Sequence, residues 1–393
     1  MSGDGRKSPP ILFLLSTLIV GGSEVKTVRL ANTLVSRGSG VVIAYLNGPD
    51  SLRDSIDDRI PVIHLHRTGV FSVAATRALF RTIDRYQPDS IVAVNLYPGL
   101  YAALAKLWHR HSSLRICVSI NTTEFFDRKN RWQMLLYRHV LAYADQVIFG
   151  AEEQAAIWRQ RYRVGRSDRS IVLHNGVDID YFACEARHPL PRSALPQTRY
   201  LIGTVGKLRA EKAHLDLIKA TNLLRTRGID VGAVIVGEGP ERTHIEQEVT
   251  RSGLGRFVYL AGEVSDVRPF LQSMDVFVLT SIAVETFSNA TLEAMAMARP
   301  VVSARVGGMQ EMLQFGGGLI VERRDIGGLA GAVELLLTDQ ELRMRLSREA
   351  RRATEEHYSW EAMVQRFESE VLRDLSNSLS PTQPTSGDQL GEV

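Results

Sequence analysis

The sequence predicts an α/β protein of two doubly wound parallel-sheet domains that face a central cleft. Three observations carry this reading: short apolar runs alternate with longer amphipathic stretches, the alternation pauses once and restarts, and the chain is long enough for two cores. The 393 residues are 44% hydrophobic, and domains usually span roughly 100–200 residues. The first set of strands is expected at Ile11–Leu15, Val41–Tyr45, Ser90–Val94, Arg115–Ile120 and Gln146–Phe149. Their near-continuous apolar character fits strands covered on both faces, as in parallel sheets. Between them lies helical spacing, for example Val25, Val28, Leu30 and Leu34. The pattern pauses at Asn175-Gly176-Val177-Asp178 and the stretch Pro189 to Pro196. It resumes at Tyr200–Val205, Val231–Val236, Phe257–Leu260, Val276–Leu279, Pro300–Ser303 and Gly318–Val321. Residues 325–373 read as helical, and the Ser-, Pro-, Thr- and Gln-rich tail is expected to be disordered. The expected domains are therefore 1–177 and 178–373, with a tail at 374–393.

The net charge is only +3, so a dedicated nucleic-acid binder is not expected. The charge is uneven: residues 1–178 hold 23 Lys and Arg against 15 Asp and Glu, and the remainder 24 against 29. A basic first half suits either an ordinary soluble surface or an anionic membrane surface. Cys117 and Cys184 lie far apart, outside metal-ligand spacing, which fits a reducing compartment without disulfides. Ile11–Val20 follows Arg6 and Lys7 like a signal peptide, but a buried first strand fits it better. No stretch reaches the ~20 apolar residues of a spanning helix, so a cytoplasmic protein is expected. The segment Arg128 to Arg138 mixes cations with Trp132, Met134 and Tyr137. It reads as a core-facing amphipathic helix or as a peripheral membrane contact.

In open parallel sheets, ligands bind beyond the carboxyl ends of the strands. Gly21-Gly22-Ser23-Glu24 follows the first strand and opens a helix, where free amides favour an anion. After Tyr200–Val205 come Gly206 and three cations, Lys207, Arg209 and Lys212. Cations there would stabilise the charge of a diphosphate leaving group; a solvated charged face is the plainer reading. Gly237-Glu238-Gly239 lacks the third glycine of a dinucleotide fingerprint and reads as a turn. After Val276–Leu279, Glu285 is expected in a loop. Ser288 or Asn289 then caps a helix to about Ala298, which carries Glu293 one turn inside. The amides near Phe287–Asn289 would face an anion, with one carboxylate on either side to accept hydrogen bonds from hydroxyls. Apolar neighbours Leu292, Ala294 and Met295 make an idle Glu293 costly. Arg305-Val306-Gly307-Gly308 is a further strand-to-helix turn. Asp178-Ile179-Asp180 looks like a metal-binding pair, but it sits where an acid opens a helix. His64-Leu65-His66 reads as two imidazoles on one strand face without a third ligand.

Together these residues resemble the retaining GT-B glycosyltransferases of the family 4 class, over roughly residues 10–373. The strongest element is Glu285 to Glu293 in an E-x7-E pattern, followed by Pro300, Gly307-Gly308 and Glu311. His174-Asn175-Gly176-Val177-Asp178 resembles the family's lobe junction, and Gly21-Gly22 its first donor loop. The resemblance implies a UDP- or GDP-linked sugar as donor and a glycan or lipid-linked acceptor, without metal or other cofactor. It implies that Lys207 and Lys212 hold the diphosphate, with Arg209 beside them. Glu285 and Thr286, Phe287, Ser288 and Asn289 would hold the sugar. Glu293 would hold the ribose, and Gly262 and Val264 would border the base. Attack from the face that the leaving group departs would retain the anomeric configuration. This chain has Lys207 where many relatives have Arg, Asn121 where many have a sugar-contacting His, and Ala151 and Ala298 for a usual Ser and Gly. A related sugar-nucleotide epimerase and a non-catalytic sugar-nucleotide-binding protein are the alternatives.

Overall fold

A computed structural model describes residues 10–69, 71–108, 114–121, 137–139, 141–164, 167–183, 190, 195–283 and 285–372. Most of the Arg128–Arg138 segment, Cys184 and the tail lie outside the described residues. The first half runs β1 (Ile11–Leu15), α1 (Gly22–Ser36), β2 (Val41–Tyr45), β3 (Val62–His64), α2 (Val73–Tyr86), β4 (Ser90–Val94), α3 (Leu96–Trp108), β5 (Arg115–Ile120), β6 (Gln146–Phe149), α4 (Glu152–Ile157) and β7 (Ser170–Val172). The second runs β8 (Tyr200–Val205), α5 (His214–Thr226), β9 (Val231–Val236), α6 (Arg242–Arg251), β10 (Val258–Gly262), α7 (Arg268–Ser273), β11 (Val276–Leu279), α8 (Asn289–Ala296), β12 (Val301–Ala304), α9 (Met309–Met312), β13 (Gly318–Val321), α10 (Ile326–Thr338), α11 (Gln340–His357) and α12 (Trp360–Arg366).

Every strand pair is parallel. The sheets have the orders β3-β2-β1-β4-β5-β6-β7 and β10-β9-β8-β11-β12-β13. Parallel strands require helical crossovers, which cover both faces. Hence β1, β2, β4 and β9 are buried along their whole length. The strand order reverses between β1 and β4 and between β8 and β11. At these two switch points the loops splay apart and leave a crevice.

Two expected strands shift by one or two residues, to β10 at Val258–Gly262 and β12 at Val301–Ala304. The strands β3 and β7 went unread because each is a three-residue edge strand, too short for a periodic signal. His64 ends β3 and His66 lies beyond the strand, left-handed at φ 51°, yet the two rings do lie together with 3.9 Å between centroids. Asp178 is spent on structure: one carboxylate oxygen accepts from the Asp180 and Tyr181 amides, and the other pairs with Arg29 at 2.6 Å.

Chain order puts α12 after the second sheet, yet its apolar side chains cover the first. Met363, Val364, Phe367 and Val371 join the core of Phe13, Leu34 and Ile43, and Phe367 stacks on Phe13 at 6.1 Å. The two strands of chain that pass between lobes lie side by side. The Val177 amide donates to the Tyr358 carbonyl at 2.9 Å, and the Trp360 amide to that of Val177 at 2.7 Å.

Candidate active site

Loops at the carboxyl ends of β1, β8 and β11 line the crevice between the lobes, and the turn after β12 backs the last of them. Lys212 ends a one-turn 3-10 helix, Ala210–Lys212, after β8. Glu285 follows β11 and is 8% exposed. A buried carboxylate is strongly unfavourable unless paired and hydrogen-bonded. Here Glu285 Oε2 accepts from Lys212 Nζ at 2.5 Å and from Ser281 Oγ at 3.0 Å. Main-chain links fix both ends: Thr280 Oγ1 donates to the Lys212 carbonyl at 2.8 Å, and the Ile282 amide to that of Glu211 at 2.9 Å. The sequence suggested separate duties for these two residues; the structure joins them as one ion pair.

Glycines hold these loops in place. Gly307 is left-handed at φ +49°, and a Cβ there would stand 1.9 Å from the Glu285 carbonyl oxygen. The Gly308 amide donates to the Thr286 carbonyl at 2.7 Å. The strand-to-helix turn at Gly307-Gly308 therefore braces the Glu285 loop. Gly237 does the same for the cationic loop: a Cβ there would meet the Gly206 carbonyl oxygen at 2.0 Å, and the Leu208 amide donates to the Glu238 carbonyl at 2.9 Å.

Ser288 caps α8, its hydroxyl accepting from the Thr291 amide at 3.3 Å. The helix ends at Ala296, slightly earlier than expected, and Ala298 is left-handed at φ 56°. Asn289, the first residue of α8, meets the lobe junction: Asn175 Nδ2 donates to Asn289 Oδ1 at 2.8 Å and to the Phe287 carbonyl at 2.9 Å. Lys26 of α1 donates to Asn175 Oδ1 at 2.6 Å. Burial pulls its ammonium down to about 8. Burial pushes the Glu293 carboxyl up to about 7, against the opposing pull of Arg29. His174 stacks on Phe287 with 4.6 Å between centroids and contacts Glu311 Oε1 at 2.5 Å. Glu311 Oε2 accepts from the Glu152 amide of α4 at 2.9 Å, so one carboxylate ties both lobes to the junction.

These side chains border two adjoining cavities. One, of about 310 Å³, holds Gly21, Arg29 and Glu293 on its wall. The other, of about 500 Å³, holds Arg209, Lys212, Glu285, Thr286, Phe287, Ser288 and Asn121. Gly22, Lys26, Asn175, Lys207 and Asn289 line both and form the neck between them. Thus the sequence-derived candidates converge, apart from Gly262 and Val264, which line neither wall. Gly262 instead accepts the Gly237 amide at 2.8 Å and so steadies the cationic loop at one remove. Val264 packs against the second core. Asn121 touches the second lobe through its carbonyl, which accepts from Thr286 Oγ1 at 3.4 Å. Lys26 and Asn175 were not singled out. The available signal for Lys26 was its place four residues after Gly22, on the same helical stripe.

Comparison with known proteins adds the lineage. Residues 20–181 match the family model described as Glycosyltransferase Family 4, and residues 199–339 match Glycosyl transferases group 1. A lipopolysaccharide core biosynthesis glycosyltransferase of Rhizobium meliloti is 32% identical over 190 residues, 48% of this chain and only 52% of that protein. The 2-deoxystreptamine N-acetyl-D-glucosaminyltransferase of Streptomyces fradiae is 27% identical over 353 residues, 82% of this chain and 84% of that one. The crystal structure of the Anabaena HepE protein with UDP superimposes with a TM-score of 0.78 at 19% identity, covering 92% of this chain and 99% of that one. That likeness shows the fold. With both lobes matched in chain order and both sheets in place, the chain belongs to the GT-B glycosyltransferases of group 1.

Proposed function

We propose that this protein transfers a sugar from a nucleoside diphosphate sugar, UDP- or GDP-linked, to a glycan or lipid-linked acceptor in cell-surface polysaccharide or glycolipid synthesis. The observation that supports this most is the neck itself. A cation-bearing passage separates a cavity with a protonatable Glu293 from one with an ion-paired Glu285. A nucleoside diphosphate sugar has the same sequence of parts: a diol, a dianionic link and a second polyol. In keeping with this reading, one relative is named as a lipopolysaccharide core glycosyltransferase and another as an N-acetyl-D-glucosaminyltransferase, and the HepE protein was solved with UDP.

In the proposed reaction the ribose lies toward Glu293, the diphosphate in the neck and the donor sugar beside Glu285. Glu285 accepts hydroxyl hydrogen bonds from the sugar, while Lys212 holds the carboxylate in place. The bond between the anomeric carbon and the phosphate oxygen breaks, and its electron pair stays on the diphosphate. Lys207 and the amides at the start of α8 oppose that charge, and preorganised donors of this kind are each worth about 3 kcal/mol. The acceptor hydroxyl bonds to the same face of the sugar, and its proton passes to the departing phosphate oxygen. This gives retention and needs no metal.

The test is a panel of UDP- and GDP-sugars, read by release of nucleoside diphosphate with EDTA present. Turnover with at least one donor, reduced about 100-fold or more in Glu285→Gln and Lys212→Met, is the expected result. Activity abolished by EDTA would overturn the metal-free route. Nucleotide binding without transfer or hydrolysis of any donor would favour the non-catalytic alternative.

A further inference from the structure

Most cations in the cleft already have an acid. Lys212 is held by Glu285 at 2.5 Å, Arg29 by Asp178 at 2.6 Å, and Arg209 lies 3.9 Å from Glu211. Arg29 is also laid over Trp360, 4.1 Å from the ring centroid. Lys26 and Lys207 differ: among the described residues neither forms an ion pair with a carboxylate. Both lie on the neck, one from each lobe. Lys26 has only the neutral amide oxygen of Asn175 at 2.6 Å. One acceptor leaves two of its three ammonium hydrogens unused. A desolvated cation without a counter-charge is unfavourable in the free protein and becomes favourable when an anion arrives.

We propose that Lys26 is the first lobe's half of a two-sided cation clamp, closing with Lys207 of the second lobe on the diphosphate of the donor. The inference rests on the donor-site reading and adds to it a binding residue from the opposite lobe. Asn175 is its positioning partner. The same amide group that holds Lys26 also donates to Asn289 and to the Phe287 carbonyl, so Lys26 is registered against the start of α8. Gly22 borders the same contact: a Cβ there would stand 3.8 Å from Asn289 Nδ2.

The clamp has a protonic signature. The charged and titratable groups around Lys26 are Glu24 and Arg29 on α1, and His174 and Asp178 at the junction. Lys207, Arg209 and Lys212 follow β8, Glu285 follows β11, and Glu293 is on α8. Burial alone lowers Lys26, to about 8. Near pH 8 the free protein therefore carries that proton only part of the time. A bound diphosphate favours the charged form, so binding draws in the missing fraction.

The experiment is calorimetric titration of the full chain with UDP and with GDP at pH 8, in two buffers of different ionisation heat. The wild type is expected to take up a fraction of a proton on binding. Lys26→Met is expected to bind roughly 10-fold more weakly or worse, with clearly less proton uptake than wild type. Lys26→Arg is expected to bind within a few-fold of wild type, also with less uptake, because guanidinium stays charged. Thermal unfolding of both variants checks that they fold. A Lys26→Met protein that binds as tightly as wild type, or takes up as much of a proton as wild type, overturns the clamp while leaving the donor-site reading intact. A wild type that binds neither nucleotide overturns the donor-site reading and the clamp together.

Discussion

Gly307→Ala tests whether the Glu285 loop is braced from behind. The added Cβ would stand 1.9 Å from the Glu285 carbonyl oxygen, a distance at which something must shift. The obstacle is backbone rather than the end of a flexible side chain, so the Glu285 loop itself must move by about 1.5 Å to reach the 3.4 Å of ordinary contact. A misplacement of that size is expected to lower the rate about 100-fold. The left-handed φ of +49° adds about 1–2 kcal/mol of strain in the folded state. The assay is nucleoside diphosphate release from the best donor, alongside thermal unfolding. Gly253→Ala is the control. It is also left-handed, at φ +68°, but nothing lies within 4 Å of the added atom. It is expected to lose similar stability and keep its activity. A Gly307→Ala enzyme with wild-type kcat/KM, or a Gly253→Ala enzyme just as impaired, would refute the displacement reasoning.

Three other outcomes follow from the same structure. Ala298→Gly relieves a left-handed alanine just after α8 and is expected to raise stability by about 1 kcal/mol, read as a higher Tm. Glu293 is held near 7 by burial, above its ordinary 4.5. The folded state thus keeps a proton that the unfolded chain has lost, and wild-type stability falls as pH rises from about 4.5 to 7, by at most about 3 kcal/mol. Glu293→Gln is expected to flatten that fall and to raise Tm relative to wild type at pH 8 but not at pH 4. Gly22→Val projects a branched side chain toward Asn289 in the neck; UDP and GDP binding are expected to be lost at nearly unchanged Tm, as measured by calorimetry.

Much of the fold was legible because parallel strands are buried on both faces and stand out as apolar blocks. The edge strands β3 and β7 were not, since three residues carry no period. The site was legible where one stretch of chain holds both acids, as from Glu285 to Glu293. It was less legible where residues meet across lobes. Lys26 touches Asn175, 149 positions away, and a lone lysine on an amphipathic helix looks like solvated surface. Gly262 was expected beside the base through the resemblance alone; nothing in the sequence signals that its carbonyl also accepts the Gly237 amide. The pairing of Lys212 with Glu285 was also hidden, because spacing tells which residues enter a cleft and not which of them meet there.

The parallel passage of Val177 beside Tyr358–Trp360 has a mechanical meaning. A polypeptide joined to its neighbour by one tether can swivel freely, whereas two tethers laced by main-chain hydrogen bonds act as a door hinge with a single pin. Cutting the chain after Tyr358 would remove both the second tether and the cover over Phe13, so such a truncation is expected to lose the first sheet's packing as well as the hinge.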